Sequence, residues 1–293
     1  MEIDVVVMKR SSRPSDRPLP EGIYAEPRHV DDPAECFFYH TLELPQFGLQ
    51  QGGWDLRGRF KDYVGEVDLT DRRVLDVGAA SGFLTFEAER FGAREVVSFD
   101  LDTAQRQTLL PFAGSDYVND YDAWCRTQTA AFGRWQNGYW LAHRLFGSRA
   151  KACYGDVYHP PSELGRFDVV ILGAILEHLV DPLSALTAIA RLTDDLVVIN
   201  TDYFDHSEPV ALFKGRAAQR ENTFTFWTYS IAVYDEYMKI MGFRQLAARK
   251  DVFAGGVQTL GGERLRMPRV ALVYQRDSGA VPDRASTKNR GGE

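Results

Sequence analysis

The sequence predicts an α/β protein built on a doubly wound sheet, and three observations carry that expectation. Apolar runs of strand length alternate with segments of helical period from about residue 73 to 275. Two of the runs, residues 167–172 and 196–200, are almost continuously apolar, as parallel strands buried on both faces are. A turn containing Gly78 and Gly82 joins the first strand to the first helix. In chain order the expected elements are strands at 73–77, 95–100, 151–154, 167–172, 196–200 and 270–274. Helices are expected at 82–90, 182–192 and 232–241, with Pro182 opening the second and Gly242 closing the third.

Two stretches fall outside that alternation. Residues 1–70 form an N-terminal extension and cap, whose aromatic and turn residues are placed at the mouth of the sheet. Residues 103–138, rich in aromatics, form an inserted lid within the catalytic domain of residues 71–275. Residues 276–293 have almost nothing to bury and are expected to be a disordered tail.

Composition narrows the function. With 34 Lys+Arg against 41 Asp+Glu the net charge is −7, which disfavours a chain that coats nucleic acid. Short basic clusters remain at Arg57, Arg59 and Lys61, and at Lys214, Arg216 and Arg220. No run reaches the ~18–20 apolar residues of a membrane-spanning helix. The N-terminus lacks the layout of a secretory signal, so a cytoplasmic protein with no membrane partner is expected. Cys36, Cys125 and Cys153 are too few and too scattered for a disulfide framework or a zinc site, and the six histidines show no HExxH spacing. No metal is predicted.

The strongest signal is VLDVGAASGFLTFEAERFG, residues 74–92, followed by EVVSFDLD, residues 95–102. A strand ends at Asp76, a glycine turn follows, and a helix begins whose first N–H groups are free to meet a ligand. Dinucleotide enzymes write this turn GxGxxG. Here Gly78, Ala80 and Phe83 occupy those positions, so two of three glycines are missing and a dinucleotide is disfavoured.

The Asp-x-Gly-x-x-x-Gly pattern resembles instead the class I methyltransferases that use S-adenosyl-L-methionine (AdoMet), along roughly residues 70–275. That resemblance implies a mostly parallel seven-stranded sheet and AdoMet as cofactor. It assigns Asp76 to the amino-acid end of AdoMet and places Gly78, Ala79, Gly82 and Phe83 beside it. Asp100, with Leu101, matches the acid that accepts from the ribose hydroxyls; Asp156, with Val157, matches the acid at the adenine amine. Each acid taken alone also suits an ordinary strand-end turn.

The region FDVVILGAILEHLVDPLSALTAIARL resembles a narrower branch that includes tRNA wobble-uridine enzymes and relatives in specialised metabolism. Some of that branch use AdoMet for other reactions, including closure to azetidine-2-carboxylate. The expected activity is therefore methyl transfer to a small molecule, with AdoMet cyclisation and tRNA methylation as alternatives.

His178 is the foremost candidate base because histidine titrates near neutrality, although a structural histidine would suit the same place. Glu177 and Tyr203 join it as catalytic candidates. The substrate pocket is expected to draw on Tyr39, His40 and Trp54 from the cap, Asn137 from the segment before the third strand, and Asn200, Asp202, Trp227 and Tyr229 beyond the fifth. His40 is a weaker alternative base. Several of these aromatics would serve equally as core.

Overall fold

The computed structural model describes residues 22–220, 223–255 and 265–277. The first 21 residues of the expected extension, and the expected tail from residue 278 onward, lie outside them. A small hairpin, β1 (Leu42–Leu44) and β2 (Gly48–Gln50), leads to the short helix α1 (Phe60–Tyr63). Next come β3 (Arg73–Val77), α2 (Phe83–Arg90) and β4 (Glu95–Asp100). The long connection holds α3 (Asp116–Asn119) and α4 (Tyr121–Phe146) before β5 (Lys151–Tyr154). β6 (Phe167–Gly173), α5 (Pro182–Ala190) and β7 (Thr193–Thr201) follow. A second hairpin, β8 (Ala211–Phe213) and β9 (Trp227–Tyr229), precedes α6 (Ile231–Ile240), β10 (Phe243–Gly255) and β11 (Leu265–Arg276).

Seven strands form one sheet in the order β10-β11-β7-β6-β3-β4-β5. The five from β7 to β5 are mutually parallel, and β11 runs antiparallel to both neighbours. This is the expected doubly wound, mostly parallel seven-stranded sheet. From β3 the chain steps outward to β4 and β5, then returns to β6 on the other side. The carboxyl ends of β3 and β6 therefore flank a crevice, the usual ligand position in open α/β sheets.

Alternation along the strands divides the core in two. Val74, Val96, Ala152, Val169 and Val198 face α2 and α4, where Phe86, Tyr139 and Leu141 meet them. Leu75, Val97, Val170, Leu172 and Ile199 face α5 and α6, against Leu186, Ile189, Tyr234 and Met238. Each such burial contributes ~1.5–3 kcal/mol before conformational entropy is charged against it.

Local signals set the helix ends. The Asp181 side chain accepts from the Ser184 N–H at 3.1 Å, and Pro182 opens α5 where its missing donor costs little. Asp120 caps α4 in the same way, and left-handed Gly147 (φ 62°) ends it.

Two sequence expectations change. The boundary expected at residue 138 falls inside α4, one continuous helix of 26 residues. At Gly138 the cap crosses this helix so closely that a Cβ would lie 2.6 Å from the Phe37 carbonyl oxygen. The strand β10 was not expected at all. It is an edge strand whose side chains are mostly exposed or half-buried, so FRQLAARKDVFAG shows no apolar run or clean alternation.

Candidate functional site

The crevice is built from the turn after β3. Gly78, Ala80 and Gly82 all have left-handed φ, at 77°, 52° and 85°. Ala80 adopts it at the steric cost of its Cβ, while at Gly82 a Cβ would lie 2.5 Å from the Phe86 ring. At Gly78 a Cβ would lie 3.1 Å from Ile175 in the loop after β6. The turn thereby brings its backbone against both flanks of the crevice.

Asp76, fully buried at the end of β3, accepts from the Thr85 hydroxyl at 2.7 Å through Oδ2. Its Oδ1 is buried without a partner. Burial pushes the Asp76 carboxyl up to about 7, with Thr85 opposing and Asp100 adding to the rise. Asp100, across the turn at the end of β4, accepts from the Ala80 and Leu101 N–H groups, each at 2.7 Å. Loss of water raises its carboxyl above the ordinary range, and those two N–H groups pull it back.

Asp156, after β5, carries three donors: Tyr158 N–H at 2.9 Å, His159 Nδ1 at 3.0 Å and Arg106 at 3.4 Å. Burial alone would raise it, but these partners hold it below the ordinary carboxylate range. Val157 and Ala79 are buried, and the Phe83 ring packs into the α2-side core, 5.8 Å from the His40 ring. Phe83 therefore borders the turn through its backbone.

On the other flank, the loop after β6 carries Glu177 and His178. Glu177 is buried and bound to Arg269 of β11 at 2.6 Å. Burial would raise the Glu177 carboxyl, yet the Arg269 guanidinium, with His178 beside it, holds it below the ordinary range. Arg269 also donates through Nε to Asn200 Oδ1 at 2.7 Å, and Asn200 Nδ2 donates to the Tyr63 carbonyl at 2.8 Å. Two expectations are thus corrected. Glu177 is a buried ion-pair partner and no free base, and the Asn200 amide is consumed inside the protein.

His178 lies in the loop after β6. Its Nδ1 lies 2.9 Å from the Phe224 carbonyl, which can only accept, so Nδ1 carries a proton and the neutral ring has its lone pair on Nε2. His40 differs. It is buried, with its N–H on Ser81 Oγ at 2.9 Å, and burial lowers its imidazole to about 3. It stays neutral near pH 7 and is a far weaker base than an ordinary imidazole.

The remaining expected pocket residues separate. Trp54 Nε1 donates to the Tyr39 hydroxyl at 3.1 Å, and the Arg269 guanidinium lies 5.4 Å from the Trp54 ring centre. Tyr39 in turn stacks on Trp135 of α4 at 5.4 Å. Asp202 binds Lys214 at 2.6 Å and Thr228 at 2.7 Å, and Lys250 lies 5.1 Å from the Tyr203 ring centre. Trp227 donates to the Val180 carbonyl at 3.0 Å, beside His178. Two assignments fail. Tyr229 packs into the α6-side core, and Asn137 ties α4 to the cap through the Glu35 carbonyl at 3.2 Å.

The connections after β4 and β7 meet. Leu110 N–H donates to the Thr223 carbonyl at 2.9 Å, and Leu110, Phe112, Phe213 and Arg216 line a cavity of about 190 Å³ between them. A larger groove of about 720 Å³ runs along α2, from Phe83 to Arg90, and the end of α4.

Sequence reasoning missed Thr85, Ser98, Tyr139, Tyr63 and Arg269. Two had a visible signal: Ser98 interrupts the apolar run EVVSF, and Arg269 directly precedes VALVY.

The methyltransferase-domain family profile matches residues 55–248. The chain is 28% identical over 162 residues to the ubiquinone biosynthesis O-methyltransferases of two Neisseria meningitidis strains, covering 50% of this chain and 56% of each relative. It therefore spans just over half the length of the curated relatives it matches. Among solved structures it resembles the N-terminal domain of EvdMO1 determined with SAH and D-fucose, at TM-score 0.50 and 14% identity, over 82% of this chain and 91% of that one. It also matches magnesium protoporphyrin IX methyltransferase of Synechocystis PCC 6803 with bound SAH, at TM-score 0.45 and 15% identity, over 76% and 82%. At such identities the likeness is one of fold.

Proposed function

The chain belongs to the methyltransferase-domain family, and from that premise we propose that it transfers a methyl group from AdoMet to a small-molecule acceptor. One observation carries the cofactor reading: Asp76 Oδ1, buried and unpartnered, sits beside a turn whose left-handed residues bring backbone close to the crevice. A buried carboxylate oxygen without a donor is costly, and an ammonium group would satisfy it. Asp76 and the turn from Gly78 to Gly82 would hold the amino-acid end, Asp100 and Leu101 the ribose, and Asp156 and Val157 the adenine.

When bound, AdoMet supplies a methyl on a sulfonium, an electrophile that needs chiefly an in-line nucleophile. In this reading His178 acts on that nucleophile. With Nδ1–H committed to the Phe224 carbonyl, Nε2 can accept a proton from an acceptor hydroxyl. The Glu177–Arg269 pair anchors the loop that carries His178 to β11. Residues 223–227 seat on the same loop, Phe226 N–H donating to the Glu177 carbonyl at 2.9 Å.

The test is incubation of the protein with AdoMet, alone and with panels of small hydroxylated and amine acceptors and bulk tRNA, followed by mass spectrometry. S-adenosylhomocysteine matched by a methylated small molecule supports the reading. Methylthioadenosine formed without acceptor would replace it with AdoMet cyclisation or cleavage, and methyl incorporated only into tRNA would move the acceptor to RNA.

A further inference from the structure

Four polar side chains from four elements are joined where only apolar packing is needed. Asp76 of β3, Thr85 of α2, Ser98 of β4 and Tyr139 of α4 are each no more than 3% exposed. Thr85 Oγ1 lies 2.7 Å from Asp76 Oδ2 and 2.7 Å from Ser98 Oγ, and Ser98 Oγ lies 2.8 Å from the Tyr139 hydroxyl.

Each hydroxyl has one proton, so the chain has a direction. An ionised Asp76 only accepts, so Thr85 gives its proton to Asp76. Ser98 must then donate to Thr85, and Tyr139 to Ser98. All three protons point toward the carboxylate. Val at 85, Ala at 98 and Phe at 139 would pack these sites without burying a polar group, so packing does not account for the chain. Its far end is the unpartnered Oδ1.

We propose that Thr85, Ser98 and Tyr139 are positioning residues: they hold Asp76 in its charged form, with Oδ2 occupied and Oδ1 free for the cofactor's ammonium. This rests on the reading that Asp76 meets AdoMet. The groups facing Asp76 are Thr85 from α2 and Tyr139 from α4. Asp100, at the end of β4, opposes its ionisation, and Tyr63 lies nearby on α1. β6 places Ile171 beside it and no charge. Among the described residues Asp100 is the charged group that acts on Asp76, so the hydroxyl chain and the Thr85 backbone N–H are what favour the carboxylate until the ligand arrives.

Calorimetric titration of AdoMet from pH 5.5 to 8.5 tests this in the wild type, Thr85→Val, Thr85→Ser and Tyr139→Phe, with folding checked by circular dichroism. In the wild type, affinity should fall about tenfold per pH unit below the Asp76 midpoint, the slope of a single proton. Thr85→Val should move that midpoint up by about one unit and weaken binding at pH 7 about five- to tenfold. Thr85→Ser should follow the wild type, and Tyr139→Phe should shift in the same direction by less. If Thr85→Val fails to fold, Ser98→Ala takes its place. An unchanged midpoint in Thr85→Val or its substitute overturns the proposal. Asp76→Asn separates the two readings: unchanged affinity there removes Asp76 from the cofactor site, whereas weakened affinity alongside an unmoved Thr85→Val midpoint removes only the relay.

Discussion

Replacing Arg269 by Met takes the cation from an ion pair whose side chains are 3% and 5% exposed. Arg269 donates to Glu177 Oε1 at 2.6 Å, to Asn200 Oδ1 at 2.7 Å and to the Asn200 carbonyl at 3.2 Å. Methionine fills comparable space but makes none of these bonds. Glu177 would keep the Thr201 hydroxyl at 3.3 Å as its remaining side-chain donor among the described residues. Removing one partner of such a buried pair costs about 3–5 kcal/mol, a large share of a typical total near 5–15 kcal/mol. The pH dependence follows from the direction of the Glu177 shift. In the wild type its carboxyl is held below the ordinary range, so the pair's stabilisation is present above that range and is lost as pH falls through the folded-state value. In Arg269→Met the largest opposing influence on burial is gone, the carboxyl rises, and the variant should regain stability on acidification as Glu177 takes up a proton. Urea unfolding at pH 7 and pH 5 measures both effects. Glu177→Gln combined with Arg269→Met should be less damaging at pH 7 than Arg269→Met alone. A loss below about 1 kcal/mol, or a deficit independent of pH, would refute the buried-pair argument.

Gly82→Ala forces a Cβ to 2.5 Å from Phe86 and 2.9 Å from Tyr139 at φ 85°. Left-handed strain and overpacking together should cost roughly 2–4 kcal/mol in chemical denaturation, and a loss within experimental error would count against the turn geometry. His178→Ala should leave AdoMet affinity intact and lower kcat ~10²–10⁴-fold with a hydroxyl acceptor, and unchanged turnover would remove His178 as the base.

How much of this was legible in the sequence depends on what each residue's role is made of. β3, β4 and β5 lie at the expected bounds because each of these parallel strands carries a short apolar run that ends at an acid or a turn. The turn was recognisable because Gly78 and Gly82 mark positions where φ must be positive, although Ala80 shows that the middle one is met by strain. β10 was invisible because an edge strand obeys no burial pattern. The polar partnerships were hidden for another reason: Ser98 meets Tyr139 across 41 positions and Glu177 meets Arg269 across 92. No local period encodes such pairs. Glu177 looked like a loop acid beside His178, and only the return of β11 into the sheet supplies the cation that occupies it.

The proposed cofactor site puts AdoMet at the carboxyl ends of β3 and β4, with Asp100 as its ribose acceptor. Titrating AdoMet calorimetrically into the wild type and Asp100→Ala addresses it most directly. Each hydrogen bond to a charged acceptor is worth ~1.5–3 kcal/mol, so losing the carboxylate should weaken binding at least tenfold while the far-ultraviolet circular dichroism stays unchanged. Equal affinity in the two proteins, or no binding to the wild type at millimolar AdoMet, would contradict it.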